Sequence, residues 1–153
     1  MSRLVFTLTA IVGFLPWQPL VAGELKHDGW TFESPREEIQ PEVKWLPNGG
    51  RTGHGALVIQ SDNRDGLTGL WKKTVSVEGG AYVRFTASRS TKNVDHVRRT
   101  GTARIIWLDD AGKKVQHDEP SFASYRPGER PRAEPEFPAD GQTTDGWTEV
   151  AGT

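Results

Sequence analysis

Hydrophobic and polar positions follow two different patterns along this chain. Residues 4–21 form an uncharged, largely apolar run, whereas beyond residue 24 short segments alternate between apolar and polar side chains. The clearest alternation lies in residues 81–88, where Val83 and Phe85 fall on one face and Tyr82 and Arg84 on the other. A period of two residues is typical of a half-buried strand. The pattern therefore predicts an all-β domain behind an apolar N-terminal segment.

Further segments have the same β-strand character and are separated by turn-forming residues. They are residues 29–32, 56–60, 70–77, 102–108, 113–116 and 147–153, and residues 42–46 form a looser segment ahead of a turn. Residues 117–144 read as one long loop, and we find no internal repeat and no amphipathic helix. Short strands at this spacing predict one antiparallel β-sandwich of the jelly-roll type. Because the pattern stops inside a strand, we expect this domain, residues 24–153, to lack its C-terminal strands.

Residues 1–23 have the parts of a secretory signal peptide. Arg3 precedes an apolar segment from Leu4 to Leu15, and the small residues Val21 and Gly23 fit the positions before a cleavage site. The apolar segment is shorter than the roughly twenty residues of a permanent membrane span. We therefore expect export, removal of the leader, and a secreted or periplasmic product that is not held in a membrane.

Composition narrows the chemistry available to the exported domain. Lysine and arginine together number 19 against 20 acidic residues, so no overall field selects nucleic acid as a partner. The chain contains no cysteine, which excludes disulfides, thiolate zinc sites and a cysteine nucleophile. The domain must therefore be stabilised by burial and hydrogen bonding alone.

Several segments, in this order, resemble carbohydrate-binding-module-like (galactose-binding-like) jelly rolls. They are Trp30, residues 53–59, Trp71, residues 77–85, residues 106–113 and residues 146–153. More narrowly, residues 34–39, 64–67 and 140–147 resemble the N-terminal module that precedes a carbon–nitrogen hydrolase (nitrilase-type) domain in some exported bacterial proteins. The resemblance implies that catalysis belongs to a downstream domain. The Glu, Lys and Cys of nitrilase chemistry have no matching motif in this chain.

A sugar site on a sandwich needs aromatic faces and a few fixed polar groups. Tyr82 and Arg84 provide such groups on one strand face, and Arg104 joins them if its strand lies nearby. Trp45 and Tyr125 are candidate stacking platforms on irregular segments. The alternative for the first three is an ordinary solvated sheet face. Alternation places two further tryptophans, Trp71 and Trp107, in the core.

Other motifs point away from catalysis and metal binding. Asp62 and Asp65 could supply oxygens to a structural calcium ion, but an Asx turn explains the loop better. The sequence His117-Asp118-Glu119 has ligand-type side chains, yet neighbours on a strand point to opposite sides. We find no catalytic constellation, so we expect no catalytic residues, no metal ligands and no cofactor.

These observations favour an exported, non-catalytic module that binds carbohydrate or another small ligand beside a downstream catalytic domain. Two alternatives stay open at this point. The chain is the N-terminal part of a secreted carbon–nitrogen hydrolase precursor, or it is a purely structural interaction module.

Removal of the leader gives the first testable prediction. N-terminal sequencing of the exported protein should begin near Glu24, because the small residues before it fit the cleavage site. Recovery of exported protein that still begins at Met1 would contradict the prediction.

Overall fold

The structure is a computed structural model that describes residues 2–8, 26–118 and 130–152. These ranges contain ten strands and two helical segments of three or four residues. The strands are β1 (Ser2–Leu8), β2 (Lys26–His27), β3 (Trp30–Glu33), β4 (Glu42–Leu46), β5 (Ala56–Gln60), β6 (Leu70–Val77), β7 (Phe85–Arg89), β8 (Arg104–Leu108), β9 (Ala139–Thr144) and β10 (Trp147–Gly152). The helical segments are a 3₁₀ turn, Glu37–Ile39, and α1, Val97–Thr100. The prediction of an all-β fold is therefore confirmed.

The strands form three antiparallel sheets. The first has five strands in the order β2-β3-β6-β1-β8, the second has the order β7-β10-β9, and the third is the β4–β5 hairpin. Most neighbours in the five-stranded sheet are distant in the chain, so this sheet is assembled by long-range pairing. The two smaller sheets join strands that are close in sequence, except for β7 and β10.

Strand β1 lies between β6 and β8 in the five-stranded sheet. Its pairing with β6 runs from Ser2 opposite Val77 to Leu8 opposite Trp71. On its other side Arg3 faces Leu108 and Thr7 faces Arg104. This strand is the described part of the predicted leader, and the rest of residues 1–23 lies outside the described residues. Removal of the leader remains a prediction, and it would take away the strand that β6 and β8 share.

Two clusters of buried side chains connect the sheets. Phe32 and Trp71 from the five-stranded sheet pack against Val43, Leu57 and Ile59 of the β4–β5 hairpin. Trp71 is only 2% exposed, and its indole N–H donates to the carbonyl of Val58 at 3.3 Å. The first cluster therefore fixes the hairpin to the face of the large sheet.

The second cluster joins the large sheet to the β7-β10-β9 sheet. It consists of Phe85, Ala103, Ile105 and Val150, with partly buried side chains packed around it. Those side chains include Val83 and Trp107, and the Trp107 indole donates to Glu136 Oε1 at 2.7 Å. The predicted burial of Trp71 and Phe85 is confirmed, whereas Val83 and Trp107, which alternation also placed in the core, are only partly buried and pack against this cluster.

Strand boundaries agree with the sequence pattern in the middle of the chain and differ elsewhere. Residues 56–60 and 70–77 are strands at the predicted bounds. The looser segment 42–46 is the strand β4, so Trp45 lies in a strand and not on an irregular segment as expected. Residues 81–84 are not part of a strand, because the chain leaves the turn at Gly80 in an irregular path and β7 begins only at Phe85. Residues 113–116 form only isolated bridges. The predicted loop 117–144 contains β9, whose exposed side chains give no apolar signal.

Neither helical segment in the described ranges has the length or apolar character to cross a bilayer.

The position of β1 gives a prediction about stability within the sheet. Removing residues 1–23 leaves the facing edges of β6 and β8 without their shared partner, and unpaired edges exchange and aggregate readily. Hydrogen–deuterium exchange should therefore become faster at residues 71–77 and 104–108. The β4–β5 hairpin, whose backbone pairs only within itself, should keep most of its protection. Unchanged exchange at β6 and β8 would show that β1 does not pair there in solution.

Candidate ligand-binding cleft

An open cleft of about 410 Å³ lies where the three sheets meet. Its wall includes Trp30 of the large sheet, Trp45 of the hairpin and Trp147 of the β7-β10-β9 sheet. Polar lining groups include His27, Asp28, Arg51, Thr52, His54 and Ser88. The size falls within the usual range for small-molecule sites, about 300–1,000 Å³. Aromatic walls with a polar rim suit a ligand that has both apolar faces and hydroxyl groups.

Two of the cleft tryptophans directly follow hairpin turns of the same sequence. Residues 28–31 and 145–148 both read Asp-Gly-Trp-Thr. In each turn the Asp and the Gly have positive φ, 47° and 77° in the first and 51° and 77° in the second. Two consecutive positive φ angles are what a type I′ hairpin turn requires, and Asp-Gly is a preferred pair for it. The tryptophan after each turn begins a strand, β3 or β10, and lines the cleft.

The repeated tetrapeptide is a sequence signal for two hairpins, and hydrophobic alternation does not reveal it. An Asp-Gly pair between two short segments is a hairpin signal even where the segment before it has little hydrophobic character. This signal would have placed β2 before Trp30 and β9 before Trp147. It would also have identified both tryptophans as residues at strand starts.

Trp45 is packed on one of its faces. The His27 imidazole stacks on the indole with ring centroids 3.6 Å apart and planes 22° apart. The six-membered ring of Trp45 also lies against the backbone of Gly55, where a Cβ atom would overlap it. Gly55 has φ +118°, a conformation that side chains rarely adopt. The lack of a side chain at Gly55 therefore lets Trp45 reach its position in the wall.

The loop between β4 and β5 forms one side of the cleft and is held by its own hydrogen bonds. Gly49 N–H donates to Leu46 O at 3.1 Å, and Gly55 N–H donates to Gly49 O at 2.9 Å. Within the loop, His54 Nδ1 and Thr52 Oγ1 are 3.1 Å apart and share a hydrogen bond. His54 Nε2 has no hydrogen-bond partner among the described residues. The loop thus presents an available ring nitrogen from a closed, ordered backbone.

Asp28 and Arg51 bring a negative and a positive charge to the lining of the cleft, and they differ in whether they have a partner of opposite charge within the described residues. Lys73 Nζ donates to the backbone oxygen of Asp28 at 2.7 Å and lies 3.4 Å from its carboxylate. The Arg51 guanidinium makes no hydrogen bond or ion pair with any described residue, and the side chain is exposed. The negative charge is therefore partly neutralised within the protein, whereas the positive charge is not.

The ligand residues that were predicted from the sequence lie in different parts of the structure. Of the five, Trp45 lines the cleft. Tyr82 is fully exposed and Arg84 is exposed, both in the irregular segment before β7. Arg104 lies half-buried in β8, opposite Thr7 of β1. Tyr125 lies outside the described residues.

The expected polar face shared by Tyr82, Arg84 and Arg104 is a wrong prediction. Tyr82 and Arg84 precede β7 and do not lie on it. Strands β7 and β8 also belong to different sheets, since β7 pairs with β10 and β8 pairs with β1. Alternation predicted the two sides of the segment but could not predict which strands become neighbours.

The loop at Asp62 is an Asx turn closed by an arginine. Asp62 Oδ1 accepts from Arg64 N–H at 3.1 Å, and both carboxylate oxygens accept from Arg64 Nε at 3.0 and 2.9 Å. These side-chain hydrogen bonds hold the pKa of the Asp62 carboxyl below its usual value. Arg64 also donates to the backbone oxygens of Glu38 and Gln40, at 2.6 and 2.9 Å. The Asp62 carboxylate is thus engaged by a cation of the protein itself.

Metal-ligand side chains do not come together in the described ranges. No group of three or more His, Asp or Glu side chains with the spacing of a metal site occurs there. Glu119 of the His117-Asp118-Glu119 sequence lies outside the described residues.

Comparison with known proteins does not add a family or a neighbour. No family model matches the chain, and no curated protein or solved structure matches it at a significant level.

The contact between Trp45 and Gly55 gives a prediction about the cleft wall. Gly55→Ala should displace the Trp45 indole, so the His27 ring protons should lose the upfield shift that stacking on an indole produces. Gly53→Ala is the matched control, because Gly53 also has positive φ, +74°, but a Cβ there would meet nothing within 4 Å. Both substitutions carry a backbone cost of about 1–3 kcal/mol. Proton NMR of His27 should therefore change only in Gly55→Ala, and equal shifts in both variants would contradict the assigned packing.

Proposed function

We propose that this chain is an exported, non-catalytic module that binds carbohydrate in the cleft lined by Trp30, Trp45 and Trp147. The fold we propose for it is a jelly-roll sandwich in which the β4–β5 hairpin and the β7-β10-β9 sheet cover the large sheet. In this proposal the module serves a catalytic domain elsewhere in the same protein. The observation that carries the proposal is the convergence of three tryptophans, one from each sheet, on one open cleft.

Sugar rings suit such a wall because their C–H faces stack on indoles while their hydroxyl groups remain at the edge. The cleft supports this division of roles. Its indoles stand beside Thr52, His54 and Ser88, which donate and accept hydrogen bonds. An open cleft also suits a chain end or an internal unit of an oligosaccharide better than an enclosed cavity does.

Trp147 provides the cleanest test of the proposed function. Among the described residues, Trp30 and Trp45 pack against the first buried cluster, whereas Trp147 belongs to neither cluster. Replacing Trp147 should therefore remove a ligand contact with less damage to the core than replacing the other two.

We expect Trp147→Ala to weaken glycan binding by about tenfold or more, because it removes one stacking surface. A glycan array would select the ligand, and isothermal titration calorimetry would measure its affinity for the full chain. Phe137→Ala is the matched control, since Phe137 is a 62% exposed aromatic residue outside the cleft. Thermal unfolding would show that both variants remain folded.

Tyr82→Ala distinguishes the cleft from the site expected from the sequence. A loss of affinity in Tyr82→Ala with none in Trp147→Ala would move the binding site to the segment before β7. The absence of any bound glycan on the array would overturn the proposed function itself.

A further inference from the structure

The charges around the cleft carry an inference that rests on the proposed function and makes it more specific. Asp28 and Arg51 are the fully charged side chains of its lining, and Lys73 lies beside the Asp28 carboxylate. Arg51 has no counter-ion among the described residues. The lining therefore presents the positive charge of Arg51 to a ligand, while the exposed carboxylate of Asp28 is shared with Lys73.

The loop that bears Arg51 is ordered by its backbone. Gly50, the preceding residue, has φ +82°, and a Cβ atom on it would overlap the carbonyl oxygen of Gly55. Gly53 N–H donates to Gly50 O at 3.3 Å, so residues 50–53 form a closed turn around Arg51. A side chain on such a turn starts from a fixed Cα position at the cleft, which lowers the entropic cost of meeting a ligand.

Two other arginines, Arg89 and Arg64, satisfy their guanidinium groups within the protein, whereas the guanidinium groups of Arg84 and Arg99 are exposed and, like that of Arg51, have no partner among the described residues. Arg89 is 5% exposed, and it donates to Gly101 O and Asp140 Oδ2, both at 2.7 Å. Arg64 is closed onto Asp62. The guanidinium of Arg51, by contrast, keeps its donors available, and its planar fork matches the two oxygens of a carboxylate or sulfate.

We infer that the cleft selects an anionic sugar, with Arg51 pairing to a carboxylate or sulfate on a ring that stacks on the tryptophans. In either case the ligand is a saccharide that carries an oxyanion, which is a planar carboxylate or a tetrahedral sulfate. The two sources of that anion, a uronate or a sulfate ester, are separated by the probes below.

The test compares pairs of probes that share a saccharide backbone and differ in whether they carry the anion. Oligogalacturonate and its methyl ester share one backbone, as do a sulfated galactan oligosaccharide and its desulfated form. Calorimetry would be performed with the full chain, with both members of each pair measured at the same pH and ionic strength. We expect the charged member of at least one pair to bind about fivefold more tightly than its neutral partner, the size expected of a partly exposed ion pair.

Arg51→Gln should abolish this preference, so that the charged and the neutral member of each pair bind with equal affinity. Arg51→Lys should keep part of the preference, because it keeps the charge but not the fork. Arg99→Gln is the matched control, since it removes one exposed positive charge that does not line the cleft. The preference should also shrink in about 1 M salt, where the screening length is only about 3 Å.

Different results overturn the inference and the proposed function. Equal affinity for both members of each pair, or a preference that survives in Arg51→Gln, would overturn the anionic ligand. If neutral glycans still bind and Trp147→Ala weakens them, the proposed carbohydrate site stands without the charge selection. If no glycan of either kind binds, both proposals fail.

Discussion

Trp71 lies almost wholly buried at the point where the five-stranded sheet meets the β4–β5 hairpin, and the site depends on its packing there. Its ring meets Phe32 edge-on, with centroids 5.5 Å apart, and its N–H donates to the backbone of the hairpin. A buried indole must satisfy that donor, so the hydrogen bond fixes the hairpin in direction as well as in distance. Trp30 and Trp45 pack against the same cluster. The positions of Trp30 and Trp45 in the cleft therefore depend on the burial of Trp71 beneath them.

Two glycines make room for aromatic rings in and beneath the cleft wall. Gly55 admits the Trp45 ring, and Gly69 similarly lies against Phe32, where a Cβ atom would overlap the ring. Both glycines allow an aromatic ring to approach the backbone more closely than any other residue would. The packing of Phe32 and the position of Trp45 in the cleft wall thus both require a glycine where the aromatic ring contacts the backbone.

Arginines have two different environments in this chain, which are distinguished by the partners that their guanidinium groups find within the protein. Arg89 joins β7 to Gly101 after α1 and to Asp140 of β9, and Arg64 joins two loops, so both act within the structure. Removing one partner of the buried Arg89 pair would leave a charge without compensation, although Asp140 is partly exposed and solvent reduces that cost. Arg51 stands on the cleft without such a partner. Arg84, before β7, also has no partner among the described residues, but Arg51 is the arginine that lines the cleft.

The sequence by itself determined the all-β class, the bounds of β5 and β6, and the burial of Trp71 and Phe85. The burial of the two aromatic residues follows from local alternation, because a strand with one buried face places its apolar residues at every second position. The bounds of β5 follow from a short continuous apolar run between turn residues, and its three middle residues are all buried. It also contained the two Asp-Gly turns, whose backbone demands are local. Only the tertiary structure decided that β7 and β8 belong to different sheets and that Trp30, Trp45 and Trp147 line one cleft. Strand neighbours are chosen by long-range packing and pairing, and a period of two says which face is buried but not what covers it.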